Sequence, residues 1–228
     1  MKKPDGPDIF TFAPPALALL NNSRDSSALM LDRTLPRYTP ANSPPPYSYV
    51  PGHDLPHPVN DPHGHLYAQA HQAPEPLISS DVLSTLPTDL ASRRHALAAT
   101  LAADSRWLYA LDLFNGGFYW EAHEAWESFW NALSRTTPEA RFVQGLIHLA
   151  AACVKIREGK PAGVARHTQR ARELLGDLEA APVGGALGLA PESITAALAE
   201  LGNYTPQCWH TSRTPVVRVL VENLRLAQ

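Results

Sequence analysis

The chain has 228 residues, enough for one sizeable domain or a domain plus an extension. Its formal net charge of −3 argues against a nucleic-acid binder and against a polybasic membrane anchor. The two cysteines, Cys153 and Cys208, lie far apart in sequence. Cys153 sits in an Ala-rich apolar run and reads as a small buried residue, so nothing demands an oxidising compartment.

Lys2 and Lys3 open the sequence, but Pro14 and Pro15 break any leader-like pattern after them. The apolar run Ala16 to Leu20 is too short for a secretory leader, and no apolar stretch approaches the ~20 residues that span a bilayer. The expected location is the cytoplasm, with no membrane partner. Fifteen of the 22 prolines fall between Pro4 and Pro76, among Ser, Asn, Asp and His. Proline removes backbone donors and breaks helices, so residues 1–80 are predicted to form an extended, partly polyproline II arm. Five of the ten histidines, His53, His57, His63, His65 and His71, lie in this arm. Imidazoles at such density can bind transition metals. A solvated, turn-rich loop is the simpler reading. A third lays the arm across the helices and delivers His57 or His65 to a pocket there.

From about Ser79 the apolar residues recur at three- and four-residue steps, and residues 81–228 read as a helical domain. Short helices are predicted near 81–86 and 88–102. Stronger signals cover 104–115, 118–134, 138–158 and 161–179, and weaker ones 191–201 and 215–227. Asn115-Gly116-Gly117 is a stop. Thr137-Pro138-Glu139 starts a helix, and Gly159-Lys160-Pro161 ends one and begins the next. No segment alternates with period two. The fold class is all-α, a compact multihelical bundle with short turns.

The stretch FNGGFYWEAHEAWESFW, Phe114 to Trp130, carries the chemistry. At about 100° per residue, Tyr119, His123, Trp126 and Trp130 share one arc, and Ala122, Ala125, Phe129 and Leu133 extend it. Glu121, Glu124 and Ser128 are expected to face solvent. Glu127 lies at the border of the buried arc, four residues from His123, so the two side chains meet. In the next helix Gln144, His148 and Lys155 align within about 40° among Ala, Leu, Ile and Val. Buried polar groups need partners, so the two stripes are expected to pair. The resulting cluster holds His123, Glu127, Gln144 and His148, with Lys155 at one end.

Three readings of that cluster stand. One is a buried hydrogen-bond network. Another is a pocket for a small molecule or anion, walled by Tyr119, Trp126 and Trp130. The last is a metal site, in which His123, Glu127 and His148, with His57 or His65 from the arm, hold Zn, Fe or Mn. HEAWE is one residue away from a zinc-protease signature, but that motif needs histidines at i and i+4, and here i+4 is Glu127. No nucleophile elbow is present. A metal-dependent hydrolase using His123 and Glu127, with Glu124 or a neighbouring Glu as base, is an alternative, weakened because Glu124 lies about 100° from His123. Another is an interaction module that uses the proline-rich arm. Lys155, Arg157, Lys160, Arg166, Arg170 and Arg172 form a basic patch, read as a solvated face rather than a nucleic-acid site.

These blocks resemble the domain of unknown function 309 family. Phe114, Asn115, Gly117, Tyr119, Glu121, Ala122, His123, Glu124, Glu127 and Trp130 match its first signature. Gln144, Gly145, Leu146, Ile147 and Ala150 match its second, over about 104–178 in all. His148 stands where the family often has glutamine. Tyr49-Val50-Pro51-Gly52, Pro56-His57-Pro58 and Gly64-His65 are similar to an extension in some members. The resemblance implies an all-helical fold and no particular activity. The expected function is a small-ligand- or metal-binding module.

Overall fold

Asp89, Asp104 and Thr137 each turn a side-chain oxygen onto a free backbone N–H and so start a helix. The computed structural model describes residues 37–70, 77–176, 180–204 and 214–227. Among these there are nine helices and no strand. They are α1 (Tyr67–Ala70), α2 (Ser80–Thr85), α3 (Leu90–Ala103), α4 (Ser105–Asn115), α5 (Tyr119–Ala132), α6 (Pro138–Arg157), α7 (Pro161–Leu175), α8 (Ala180–Ala186) and α9 (Pro191–Gly202). None is long and apolar enough to cross a membrane.

Consecutive helices pack as neighbours, α4 on α5, α5 on α6 and α6 on α7, because the turns between them are short. At the first turn Gly117 takes a left-handed φ of 90°. Its N–H reaches the Phe114 carbonyl and the Phe118 N–H reaches the Leu113 carbonyl, so two orphan carbonyls are satisfied as α4 ends. At Gly145 any Cβ would lie 2.5 Å from Leu175 Cγ, so glycine lets α6 and α7 approach closely. Trp107, Phe114, Trp126, Phe129 and Phe142 fill the core beside them.

Two extended segments cover this bundle. The described part of the arm lies against α4 and α5. The Asp112 carboxylate accepts the N–H groups of Tyr38 and Thr39, both at 2.8 Å. Residues 214–227, whose spacing suggests a weak helix, do not form one. The Tyr119 hydroxyl accepts the N–H groups of Val219 (2.7 Å) and Leu220 (3.1 Å). Asn115 exchanges two bonds of 2.9 Å with the backbone of Leu224, and Glu200 accepts from Val221 and Glu222. Tertiary partners that need extended N–H groups outweigh the local helical spacing of this stretch. Helix α8 is not expected from the sequence, since Pro182, Gly184 and Gly185 argue against a helix there. The predicted 161–179 helix ends at Leu175, and 177–179 lie outside the described residues. So do His71, Cys208 and the arm before Arg37.

Removing the Tyr119 hydroxyl leaves two buried N–H groups without their acceptor. Tyr119→Phe is therefore expected to lose about 1–3 kcal/mol in urea unfolding and to speed amide exchange at Val219 and Leu220. An unchanged midpoint with unchanged exchange would show that this bond does not hold the segment.

Candidate functional site

The polar residues of α5 divide among three jobs. Tyr119 is fully within the core, edge-on to Phe114 at 5.3 Å, and its burial drives the phenol pKa up. Trp126 is also completely buried, tilted against Phe114 at 5.5 Å. Trp130 lies near the surface with the Arg135 guanidinium over its ring. None of the three lines the cleft beside His123, so the expected aromatic walls are core and surface elements instead.

Glu121 does not face solvent as its helical position suggests. It is 3% exposed, and it accepts the Tyr49 N–H at 2.8 Å and the Ser48 hydroxyl at 3.2 Å. His65 Nε2 stands 3.6 Å from the same carboxylate, and its ring meets Tyr47 edge-on at 4.5 Å. Burial pushes the Glu121 carboxyl up to about 7, against the pull of those bonds, and burial lowers the His65 pKa. The arm thus delivers His65 to Glu121, not to His123. His57 packs against Tyr49 at 4.9 Å and Trp120 at 5.4 Å, and its Nδ1 accepts from the N–H groups of Val59 and Asn60.

His123 has carboxylates on both sides. Nδ1 is 3.4 Å from Glu124 Oε1, and Nε2 is 3.7 Å from Glu127 Oε1. One ligand atom from each of the three residues falls within 4.8 Å of the others. His123 Nδ1 is buried and makes no hydrogen bond to any described residue. Glu124 joins this group although its Cα–Cβ direction diverges from that of His123, because a glutamate side chain is long enough to swing back. His148 is not part of it. Its Nδ1 lies 2.9 Å from Nδ1 of His167 on α7, so one imidazole donates and the other accepts. Gln144 is half-buried on α6 and lines no part of the cleft.

A cleft of about 340 Å³ opens beside His123, between the arm, α5, α6 and α7. Its wall holds Pro51, Trp120, His123, Lys155, Arg166 and His167. Lys155 lines this cleft, bonded to Glu158, rather than closing a cluster with Gln144 and His148. Burial, then His148, Arg166 and Lys155, draws the His167 pKa down to about 4, and burial with Arg170, His123 and Arg166 lowers that of His148. Trp120 and His167 are not singled out by the sequence pattern. His167 was findable, because counting outward from the turn at Gly159 brings the first turns of α7 against Lys155 and the residues before it. Trp120 carried no such signal, since the arm that covers it has no periodicity.

The fold and cleft define an all-helical domain whose polar groups converge where an N-terminal segment crosses α5 beside α6. Residues 107–167, from Trp107 in α4 to His167 in α7, match the family described as Domain of unknown function (DUF309). No curated protein and no solved structure matches the chain significantly. The matched span contains Asn115, Tyr119 and Glu121, which hold the two extended segments, as well as His123, Glu124, Glu127 and the α6–α7 side of the cleft.

A buried carboxyl with a raised pKa makes stability depend on pH. The folded protein keeps a proton on Glu121 that the unfolded chain releases above about pH 4.5, so this group withdraws stability as pH rises from about 4.5 to 7, by roughly 3 kcal/mol. His65, His148 and His167 act oppositely, since lowered pKa values add stability as pH rises through the same region. Comparing Glu121→Gln with the parent chain isolates the carboxyl, because the amide oxygen still accepts the Tyr49 N–H. The variant is expected to gain stability relative to the parent as pH rises from 4.5 to 7. A difference that stays constant across denaturation curves in that range would refute the raised carboxyl.

Proposed function

We propose that this domain is a metal-binding module that holds one divalent transition metal, Zn, Fe or Mn, on His123, Glu124 and Glu127. The observation that carries this reading is the convergence of one imidazole nitrogen and two carboxylate oxygens within 4.8 Å. A buried His123 Nδ1 with no hydrogen-bond partner supports it. Bonds of ~2.1 Å place tetrahedral donors ~3.4 Å apart, so a small rotamer adjustment closes the three onto an ion. One nitrogen and two oxygens suit borderline and harder first-row ions and leave coordination positions open toward the adjacent cleft.

Binding is favoured over hydrolysis here. Glu124, one expected base of a hydrolase, stands among the ligand atoms, and Glu158, the carboxylate that lines the cleft, is paired with Lys155 and Lys160. The interaction-module alternative also loses support over residues 37–66, whose contacts are spent on Asp112 and Glu121. The buried, free thiol of Cys153 favours the cytoplasm as the compartment.

Elemental analysis of purified protein tests the reading. About one ion per chain is expected, and His123→Ala and Glu127→Gln should each lose it while remaining folded. Added metal at ~100 times its Kd should raise the unfolding free energy by about 2.7 kcal/mol in the parent and by nothing in His123→Ala. Metal-free parent protein that gains no stability from Zn, Fe or Mn would sink the proposal.

A further inference from the structure

The cleft beside His123 has a second chemical character, set by α6 and α7. Lys155 and Arg166 both line it, and Lys160 stands on the turn between their helices, outside the lining. Glu158 is the carboxylate that meets them, bonded to Lys155 and 2.7 Å from Lys160. Two lining cations against one lining carboxylate leave an excess of one positive charge, with Lys160 sharing Glu158 from outside. Arg170 does not add to it, because Glu173 neutralises it at 2.9 Å. Arg166 is exposed and forms no ion pair with a described residue. The stem of Lys155 is fixed by a close approach: a Cβ at Gly163 would lie 2.8 Å from Lys155 Cγ, so glycine there lets the stem lie against α7.

His167 completes the basic wall without carrying charge. Its Nδ1 is engaged with His148, which leaves the far side of the ring for a hydrogen bond into the cleft. Opposite stand Trp120 and Pro51. The Trp120 ring is held by Tyr49 at 5.2 Å and His57 at 5.4 Å, both edge-on, so the arm makes it a fixed apolar surface.

We propose that this cleft binds a small phosphate monoester, its phosphoryl group on Lys155, Arg166 and His167 and its organic part against Trp120 and Pro51. A monoester carries about −1.5 to −2 charge at pH 7, which suits the cationic side of the cleft formed by Lys155 and Arg166. An arginine fork and a lysine ammonium are the side chains that recognise phosphoryl oxygens. A cleft of about 340 Å³ exceeds what a bare phosphate fills, and it lies in the size range of small-molecule sites. Glu124 and Glu127 oppose an anion from the side of His123, and a divalent ion on them would neutralise that opposition. The assignment itself rests on α6, α7 and the arm, and does not require the metal.

Calorimetric titration of the EDTA-treated 228-residue chain separates this inference from the metal proposal. Phenyl phosphate is expected to bind, inorganic phosphate more weakly, and phenol and benzoate weakly or not at all. Arg166→Gln changes an exposed side chain and should leave the fold intact while weakening phenyl phosphate about ten- to a hundredfold. Lys155→Met should do the same, with its melting curve recorded beside it. Absence of phenyl phosphate binding, binding unaffected by Arg166→Gln, or capture of a 5′-phosphorylated ribo-oligonucleotide in place of the monoester would each overturn it.

Discussion

Chain that is extended but belongs to no sheet must still satisfy its backbone N–H groups where it is buried. In this protein the segments 37–66 and 214–227 meet that requirement with side chains of α4, α5 and α9. Asp112 takes Tyr38 and Thr39, Glu121 takes Tyr49, Tyr119 takes Val219 and Leu220, and Asn115 takes Leu224. The placement of Asp112, Asn115, Tyr119 and Glu121 around one turn between helices therefore positions everything outside the bundle. The cleft adjoins it too, because the Tyr49 held on Glu121 also packs on Trp120, which lines the cleft with Pro51.

This division of labour explains why one short stretch of sequence is so rich in polar and aromatic residues. Asn115, Tyr119 and Glu121 are structural, each buried and each bonded to backbone. His123, Glu124 and Glu127 begin within the next turn, where α5 emerges from beneath the arm and its side chains are only partly covered. Scaffold and site are adjacent on one helix, so loss of the scaffold bonds also displaces one wall of the cleft.

The helical core was legible because its signals are local. Threonine before proline, paired glycines and three-to-four spacing mark α4 to α7 to within a few residues. The meeting of His123 with Glu127 was legible for the same reason. Long-range partners were not. A helical wheel assigns Glu121 to solvent, since nothing in its neighbourhood announces an arm seventy residues upstream. The same limit makes 214–227 look helical, because the acceptors that hold it extended lie as far as a hundred residues away in sequence. The spacing of α6 aims His148 at α5, whereas its partner His167 is supplied by α7.

The two extended segments also touch each other. The Ser48 N–H reaches the Pro215 carbonyl, and the Leu226 N–H reaches the Tyr38 hydroxyl, across 188 positions of sequence. The chain is thereby closed into a loop by its own covering strips. During synthesis the arm precedes Asp112 and Glu121 by some seventy residues, and the strip 214–227 follows them by about a hundred. The clasp between Tyr38 and Leu226 can therefore form only after both flanks of the bundle have been made. Without residues 214–227, Asn115 and Tyr119 lose the backbone groups that they hold at Leu224, Val219 and Leu220.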